Sequence, residues 1–211
     1  MRESLDDLRS GDEGDLLAIM HYRMRNLGIA TTITNRDMYF MIRDLQTKRS
    51  LKVLGLTVPH LLFYMKGIGV DNLIVPEDEE LMLKSLGYPR TLEDPGTMAM
   101  MHYLIRSLGV QTQLSRENVE FLRKGLDSAR EDDNGVYVAH MHYYMPKIGL
   151  ETAISEKDRK LMDDTLEKAR TDRNGVKLAL MHFFMQELPE NPKDRENVPP
   201  IPPLKKFGGR V

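Results

Sequence analysis

The chain has 211 residues, of which 41% are hydrophobic and 29% are charged, a composition typical of globular proteins. The formal net charge of -2 excludes a bulk electrostatic attraction to nucleic acid, and the lack of cysteine excludes disulfides and thiolate chemistry. Residues 1–15 are rich in acids, and no apolar run approaches the roughly 18 residues of a membrane helix. We therefore expect a cytoplasmic protein with neither a secretory signal nor a membrane contact.

A segment of similar sequence recurs five times along the chain. Equivalent positions are separated by 41, 40, 40 and 40 residues, which is too regular for chance. Repetition at this period is typical of tandem two-helix units, whose apolar faces are buried only when neighbouring units stack. In chain order the copies are MHYRMRNLGI from Met20, LLFYMKGIGV from Leu61, MHYLIRSLGV from Met101, MHYYMPKIGL from Met141 and MHFFMQELPE from Met181.

The third copy shows how a unit is organised. Met101 and Ile105 belong to an apolar stripe at helical spacing, and Gly109 follows as a left-handed stop at the helix C-terminus. A short loop then ends at Ser115, an N-cap residue, and Leu122 lies on the apolar face of a second helix. We call the first helix of a unit helix A and the second helix B, and expect about 12–15 residues in each.

This pattern predicts an all-α fold, an α-solenoid or right-angled helical array, followed by a proline-rich tail. Periodicity alone leaves open whether the units form an extended superhelix or a compact bundle. The tail contains six of the eleven prolines, which favours an extended polyproline II segment that either folds back over the last helix or enters a peptide-binding groove. The predicted parts are a helical domain at 1–188, with a half unit at 1–13, units at 14–54, 55–96, 97–135 and 136–175 and a lone helix A at 176–188, and the tail at 189–211.

A column of histidines is the first candidate site. Equivalent residues of stacked helices lie about 8–10 Å apart, whereas zinc–nitrogen bonds are about 2 Å, so two stacked histidines cannot share a metal. We therefore expect no metal and no cofactor, and interpret each histidine as a packing residue that hydrogen-bonds a carboxylate of helix B, such as Asp37 or Asp158. The column comprises His21, His102, His142 and His182, each followed by an aromatic residue, Tyr22, Tyr103, Tyr143 or Phe183.

A column of arginines is the second candidate site. One arginine recurs at the end of every helix B, where a cation is favourable to the helix dipole by roughly 0.3–1 kcal/mol. The structural interpretation, which we favour, adds pairing with nearby acids such as Glu13, Glu93, Asp132 and Asp172. The alternative is a ladder of guanidinium groups that binds phosphates or carboxylates of an extended partner. The column comprises Arg9, Arg49, Arg90, Arg130 and Arg170.

The sequence favours a non-catalytic role. It contains no phosphate-binding loop, dinucleotide motif or hydrolase motif, and no nucleophile with a base and an orienting group. The leading hypothesis is a protein–protein interaction or scaffold module with a protein partner that the sequence does not identify. A nucleic-acid-binding array that uses the arginine column is the alternative, and an enzyme with a site in a groove between units comes third. The half unit is complementary in type to the lone last helix, so its segment Met1–Arg9 could pack near the fifth unit of another chain, which suggests a homo-oligomer through the open ends.

Overall fold

The computed structural model describes residues 5, 8–11, 13–52, 57–70, 74–186 and 188. All regular secondary structure in these ranges is helical, so the all-α prediction is confirmed for them, and none of these helices is long and apolar enough to cross a membrane. The predicted tail at 189–211 lies outside the described residues. The helices are α1 (Gly14–Asn26), α2 (Asn35–Ser50), α3 (Thr57–Gly67), α4 (Pro76–Ser85), α5 (Tyr88–Thr91), α6 (Pro95–Ser107), α7 (Arg116–Glu131), α8 (Gly135–Lys147), α9 (Glu156–Thr171) and α10 (Gly175–Met185), and residues 8–10 before them are also helical.

The helix ends lie where the sequence places capping residues. Thr34, Ser115 and Ser155 precede α2, α7 and α9, and each side chain accepts a hydrogen bond from the backbone N–H three residues later. Gly109, with a φ of 97°, turns the chain out of α6 in the left-handed region that other residues rarely adopt. The predicted helix stops Gly28, Gly69 and Gly149 also have positive φ.

The second predicted unit departs from the pattern. Its helix B is divided into α4 and the four-residue α5, with Leu86 and Gly87 between them. Pro89 has no backbone N–H and its ring is incompatible with the interior of a continuous helix, which explains the break. The predicted single helix is therefore wrong in this unit, and Arg90 lies on a short separate helix.

Five helices form a continuous layer, in which α1, α3, α6, α8 and α10 each pack against the next one. These are the predicted helices A. The predicted helices B lie beside them: α2 packs against α1 and α3, α7 against α6 and α8, and α9 against α8 and α10. The buried apolar side chains form two core clusters that meet at α6, which contributes Ile105 to one cluster and Met98 to the other.

Candidate functional site

Three residues of the arginine column form paired hydrogen bonds with an aspartate of the next helix B. Arg130 donates from Nε to Oδ1 of Asp158 and from Nη2 to Oδ2, both at 2.8 Å. Arg9 makes the same pair of bonds to Asp37 at 2.7 and 2.9 Å. Arg49 does so to Asp78 at 2.8 and 2.6 Å. Such a two-pronged contact is the strongest form of arginine–carboxylate bond, and these aspartates are not the acids that the sequence suggested as partners.

Each of these aspartates is the third residue of its helix B, and each is buried. The carboxylate also accepts a hydrogen bond from the backbone N–H of the residue before the helix, at 2.9 Å from Thr34, 3.1 Å from Val75 and 2.9 Å from Ser155. Burial by itself raises the pKa of Asp37, but the bonds from Arg9 and Thr34 outweigh it and lower the pKa to about 2. The carboxylate thus stays charged, and it joins the end of one helix B to the start of the next.

Two histidines of the predicted column complete these sites. His142 Nε2 lies 3.2 Å from Oδ2 of Asp158, and its Nδ1 lies 2.9 Å from the hydroxyl of Thr152. A carboxylate only accepts hydrogen bonds, so Nε2 carries the proton and the threonine donates to Nδ1. His21 lies 3.3 Å from Asp37 in the same way. The predicted hydrogen bonds to a helix B carboxylate are therefore present, and burial lowers the pKa of both histidines despite the neighbouring charge.

The other positions of the two columns lack one member of this arrangement. Leu62 takes the place of the histidine beside Asp78, and Asn118 takes the place of the aspartate beside His102. His102 bonds the hydroxyl of Thr112 at 2.8 Å, as His142 bonds that of Thr152, but its buried Nε2 has no hydrogen-bond partner among the described residues. His182, in the last copy, is exposed.

The other two arginines of the column make weaker contacts at the surface. Arg90 lies 3.3 Å from the exposed Glu117, and Arg170 lies 3.2 Å from the exposed Glu167. Exposed pairs of this kind contribute about 0–1 kcal/mol. Binding of a ligand by the arginine column stays a prediction. In at least three units, the ligand would compete with an aspartate of the chain for the arginine.

The aromatic residues that follow the histidines pack between consecutive helices A. Tyr22 contacts Phe63 with ring centroids 5.4 Å apart, and Phe63 contacts Tyr103 at 5.6 Å. Tyr143 and Phe183 lie 5.1 Å apart. These edge-on and tilted contacts are the favoured geometries of aromatic pairs, so this column contributes to packing.

A second polar group lies at the centre of the helix A layer, and sequence reasoning missed it. We define the central cluster as Arg23 of α1, His60 and Tyr64 of α3, and His140 and Tyr144 of α8. Arg23 lies near enough to Tyr64, to both imidazoles and to Tyr144 to act electrostatically on all four groups. Residues far apart in sequence therefore meet at one place.

Aromatic rings surround the two imidazoles of the central cluster. His60 lies 5.0 Å from the Tyr64 ring. His140 lies 4.8 Å from the Tyr144 ring and stacks on Phe184 at 5.0 Å with an interplanar angle of 17°. Burial, together with the positive charge of Arg23, lowers the pKa of each histidine to about 4. Both imidazoles are therefore neutral at pH 7.

Three buried nitrogens of the central cluster have no hydrogen-bond partner among the described residues. They are Nε of Arg23, Nε2 of His60 and Nε2 of His140. A buried polar atom left without a partner costs roughly 1–3 kcal/mol, and most native proteins contain few of them. Three such atoms in one cluster are a feature that packing alone does not explain.

The sequence contained one signal for the central cluster. His60 and His140 occupy the same register of helix A, where the other copies have apolar residues, Ile19, Met100 and Leu180. A histidine at an otherwise apolar position is a marker of a polar interior site. In the described part of the chain, no group of three histidine, cysteine, aspartate or glutamate side chains is placed to hold a metal ion.

The geometry therefore distinguishes two kinds of arginine–histidine group. One kind encloses an aspartate of the chain itself, as around Asp37 and Asp158. The other kind, the central cluster, has no carboxylate of the described residues within hydrogen-bonding distance of its unpartnered nitrogens.

Comparison with known proteins does not add to this: the chain matches no family model, and searches of curated proteins and of solved structures found no similar protein.

Proposed function

We propose that the protein is a non-catalytic protein–protein interaction module, built as an α-solenoid of two-helix repeats. The order of helix packing supports this architecture, because each helix A contacts the next one and α2, α7 and α9 each pack against two consecutive helices A. The arginine–aspartate bonds support it further, because they join consecutive helices B at the repeat spacing. Units tied in this way form a stiff surface that suits the binding of an extended partner.

The observation that carries the proposal is the convergence of the central cluster. Neighbouring packed helices are about 8–10 Å apart, so three steps of a straight layer would separate α1 from α8 by about 25–30 Å. Arg23 of α1 nevertheless acts on His140 of α8. This effect, and the packing of Tyr22 of α1 against the second core cluster, support a curved layer of helices A. We define its inner face as the side of the proposed solenoid on which Arg23, His60 and His140 lie.

A capture experiment with matched variants tests the interaction module. The full chain is immobilised and exposed to extracts of its source cells, and bound proteins are identified by mass spectrometry. The inner-face variant carries His60→Met and His140→Met, since methionine already occupies this register at Met100. The control is Arg116→Gln, at an exposed position whose ion pair is with Glu120 on its own helix.

We expect a protein that is retained by the wild type and by Arg116→Gln but lost with the inner-face variant. Thermal unfolding followed by circular dichroism checks that both variants fold. If every captured protein is retained equally by the inner-face variant and by the wild type, the proposal is wrong.

We also propose that the surface around α10 receives the N-terminal half unit of a second copy of the chain, in a head-to-tail contact. Gly135 of α8 is covered by Thr165 and Leu161 of the following helix B, whereas a Cβ atom at Gly175 of α10 would meet no described atom within 4 Å. Removal of residues 1–10 should then lower the molecular mass measured by light scattering. An unchanged mass would refute the head-to-tail contact.

A further inference from the structure

The central cluster contains three buried nitrogens that need hydrogen-bond partners. Nε of Arg23 only donates hydrogen bonds, and a neutral imidazole donates from whichever ring nitrogen carries the proton. These nitrogens are buried and have no partner in the described part of the chain. A group that only accepts hydrogen bonds, and that carries a negative charge to match Arg23, would satisfy them together when Nε2 of each histidine carries the proton, as it does in His142 beside Asp158.

The nearest acids are engaged elsewhere. Asp15 bonds Nζ of Lys48 at 3.3 Å. Asp94 accepts hydrogen bonds from the backbone of Thr97 at 3.0 Å and from the hydroxyl of Tyr137 at 2.8 Å. The positive charge of the central cluster is therefore not matched by a hydrogen-bonded carboxylate of the described residues.

The site around Asp37 indicates which ligand suits a group of arginine and histidine side chains. Around Asp37, one arginine and one histidine hold a buried carboxylate, with Arg9 at 2.7 Å and His21 at 3.3 Å. The central cluster repeats this pair of residue types with a second imidazole added, but without the carboxylate. The aromatic rings of Tyr64, Tyr144 and Phe184 supply an apolar wall for the carbon atoms next to such a group.

We propose that Arg23, His60 and His140 bind a carboxylate group of the protein partner that enters the inner face. The inference rests on the proposed interaction function and names the chemistry of its site. A carboxylate fits better than a phosphate, because a phosphate ester carries about 1.5–2 negative charges at neutral pH. Only one full positive charge is present here, and Asp15 and Asp94 lie near enough to act on the two imidazoles.

Titration of the full chain with sodium benzoate, followed by the histidine ring signals in ¹H–¹³C NMR spectra, tests the site itself. We expect the signals of His60 and His140 to shift saturably, and the signal of the exposed His182 to stay in place. Benzamide, a neutral molecule of the same shape, should shift none of them. Arg23→Met should weaken benzoate binding by about tenfold or more, because it removes the cation and retains an apolar stem.

Two further arms identify the source of the carboxylate. A short capped alanine peptide with one central glutamate should bind, and the matching glutamine peptide should not. Inorganic phosphate should bind more weakly than benzoate. The proposal is overturned if phosphate binds more tightly, if benzoate binds but neither peptide does, or if Arg23→Met leaves the benzoate affinity unchanged.

The pH dependence gives an independent readout. Arg23, Asp15 and His140 are the charged or titratable groups that act on His60, and Asp94 and Arg23 are those that act on His140. A bound carboxylate adds a negative charge beside both imidazoles and raises their pKa, so benzoate affinity should increase as the pH is lowered from 7 toward 5. An affinity that stays constant over this interval contradicts the site.

If capture finds a partner that depends on the inner face while benzoate fails to bind, the interaction module stands and the carboxylate site falls.

Discussion

Removal of the Arg130 guanidinium group should destabilise the protein by about 2–3 kcal/mol, because it leaves the buried carboxylate of Asp158 with half of its hydrogen bonds. Asp158 is 0% exposed and Arg130 is 28% exposed, so solvent screens the pair only in part. Breaking a buried ion pair from one side costs about 3–5 kcal/mol. The cost is smaller here because Asp158 keeps the bonds from the Ser155 backbone at 2.9 Å and from His142 at 3.2 Å.

Urea unfolding of Arg130→Met measures this cost, and Arg90→Met is the matched control. Arg90 occupies the same register, but its helix B partner position is Asn118 and its only ion pair among the described residues is with Glu117, which is 77% exposed. The control should therefore change the free energy of unfolding by less than about 0.5 kcal/mol. A double-mutant cycle of Arg130→Met with Asp158→Asn should give a coupling energy of about 1.5–3 kcal/mol. Equal costs for the two arginines would refute the assignment of the aspartate as the stabilising partner.

Three further predictions use single substitutions or pH. Asn118→Asp places a carboxylate beside the unpartnered Nε2 of His102, so NMR titration should show a His102 pKa above its present value of about 4, and unfolding should show a gain of about 1 kcal/mol. Gly135→Ala should cost about 2 kcal/mol or more, because its Cβ would lie 2.6 Å from the Leu161 carbonyl oxygen, whereas Gly175→Ala should be neutral or stabilise by up to about 1 kcal/mol. Burial lowers the pKa of His140 from its ordinary value of 6.5, which the unfolded chain retains, to about 4 in the folded chain. Between pH 6.5 and 4, His140 should therefore lower the free energy of unfolding by up to about 3 kcal/mol. His140→Met should remove this contribution and leave those of His60 and His102.

The local features of the fold were predictable from the sequence, because they depend on residues close together along the chain. Ser115 caps α7 and Gly109 ends the preceding helix as the pattern indicated. The break at Pro89 was missed because the repeat suggested a continuous helix, although proline opposes one. The repeat period therefore predicts a continuous helix only where no residue of that segment opposes one.

The partners of the arginine column were harder to predict, because each bond joins two different helices B. Arg130 and Asp158 are 28 residues apart, and the sequence drew attention only to acids nearer in the chain. A signal was nevertheless present: aspartates recur at the third position of helix B with the same period as the arginines, and Asn118 marks the one break. The central cluster had a weaker signal, the histidines His60 and His140 at an otherwise apolar register, and a repeat length does not indicate that Arg23 lies near His140.

The joint between the second and third predicted units is the weakest of the joints that the structure describes, and three observations coincide there. Asn118 replaces the aspartate that binds an arginine elsewhere, helix B is divided at Gly87, and the two core clusters meet at α6. Fewer bonds across this joint lower the free energy of its local opening. Asn118→Asp should therefore slow amide hydrogen exchange in α5 and at the start of α7 more than in α9, whose aspartate is already bound. Uniform slowing across all helices would show that the variant acts on global stability, and that the joint is no weaker than its neighbours.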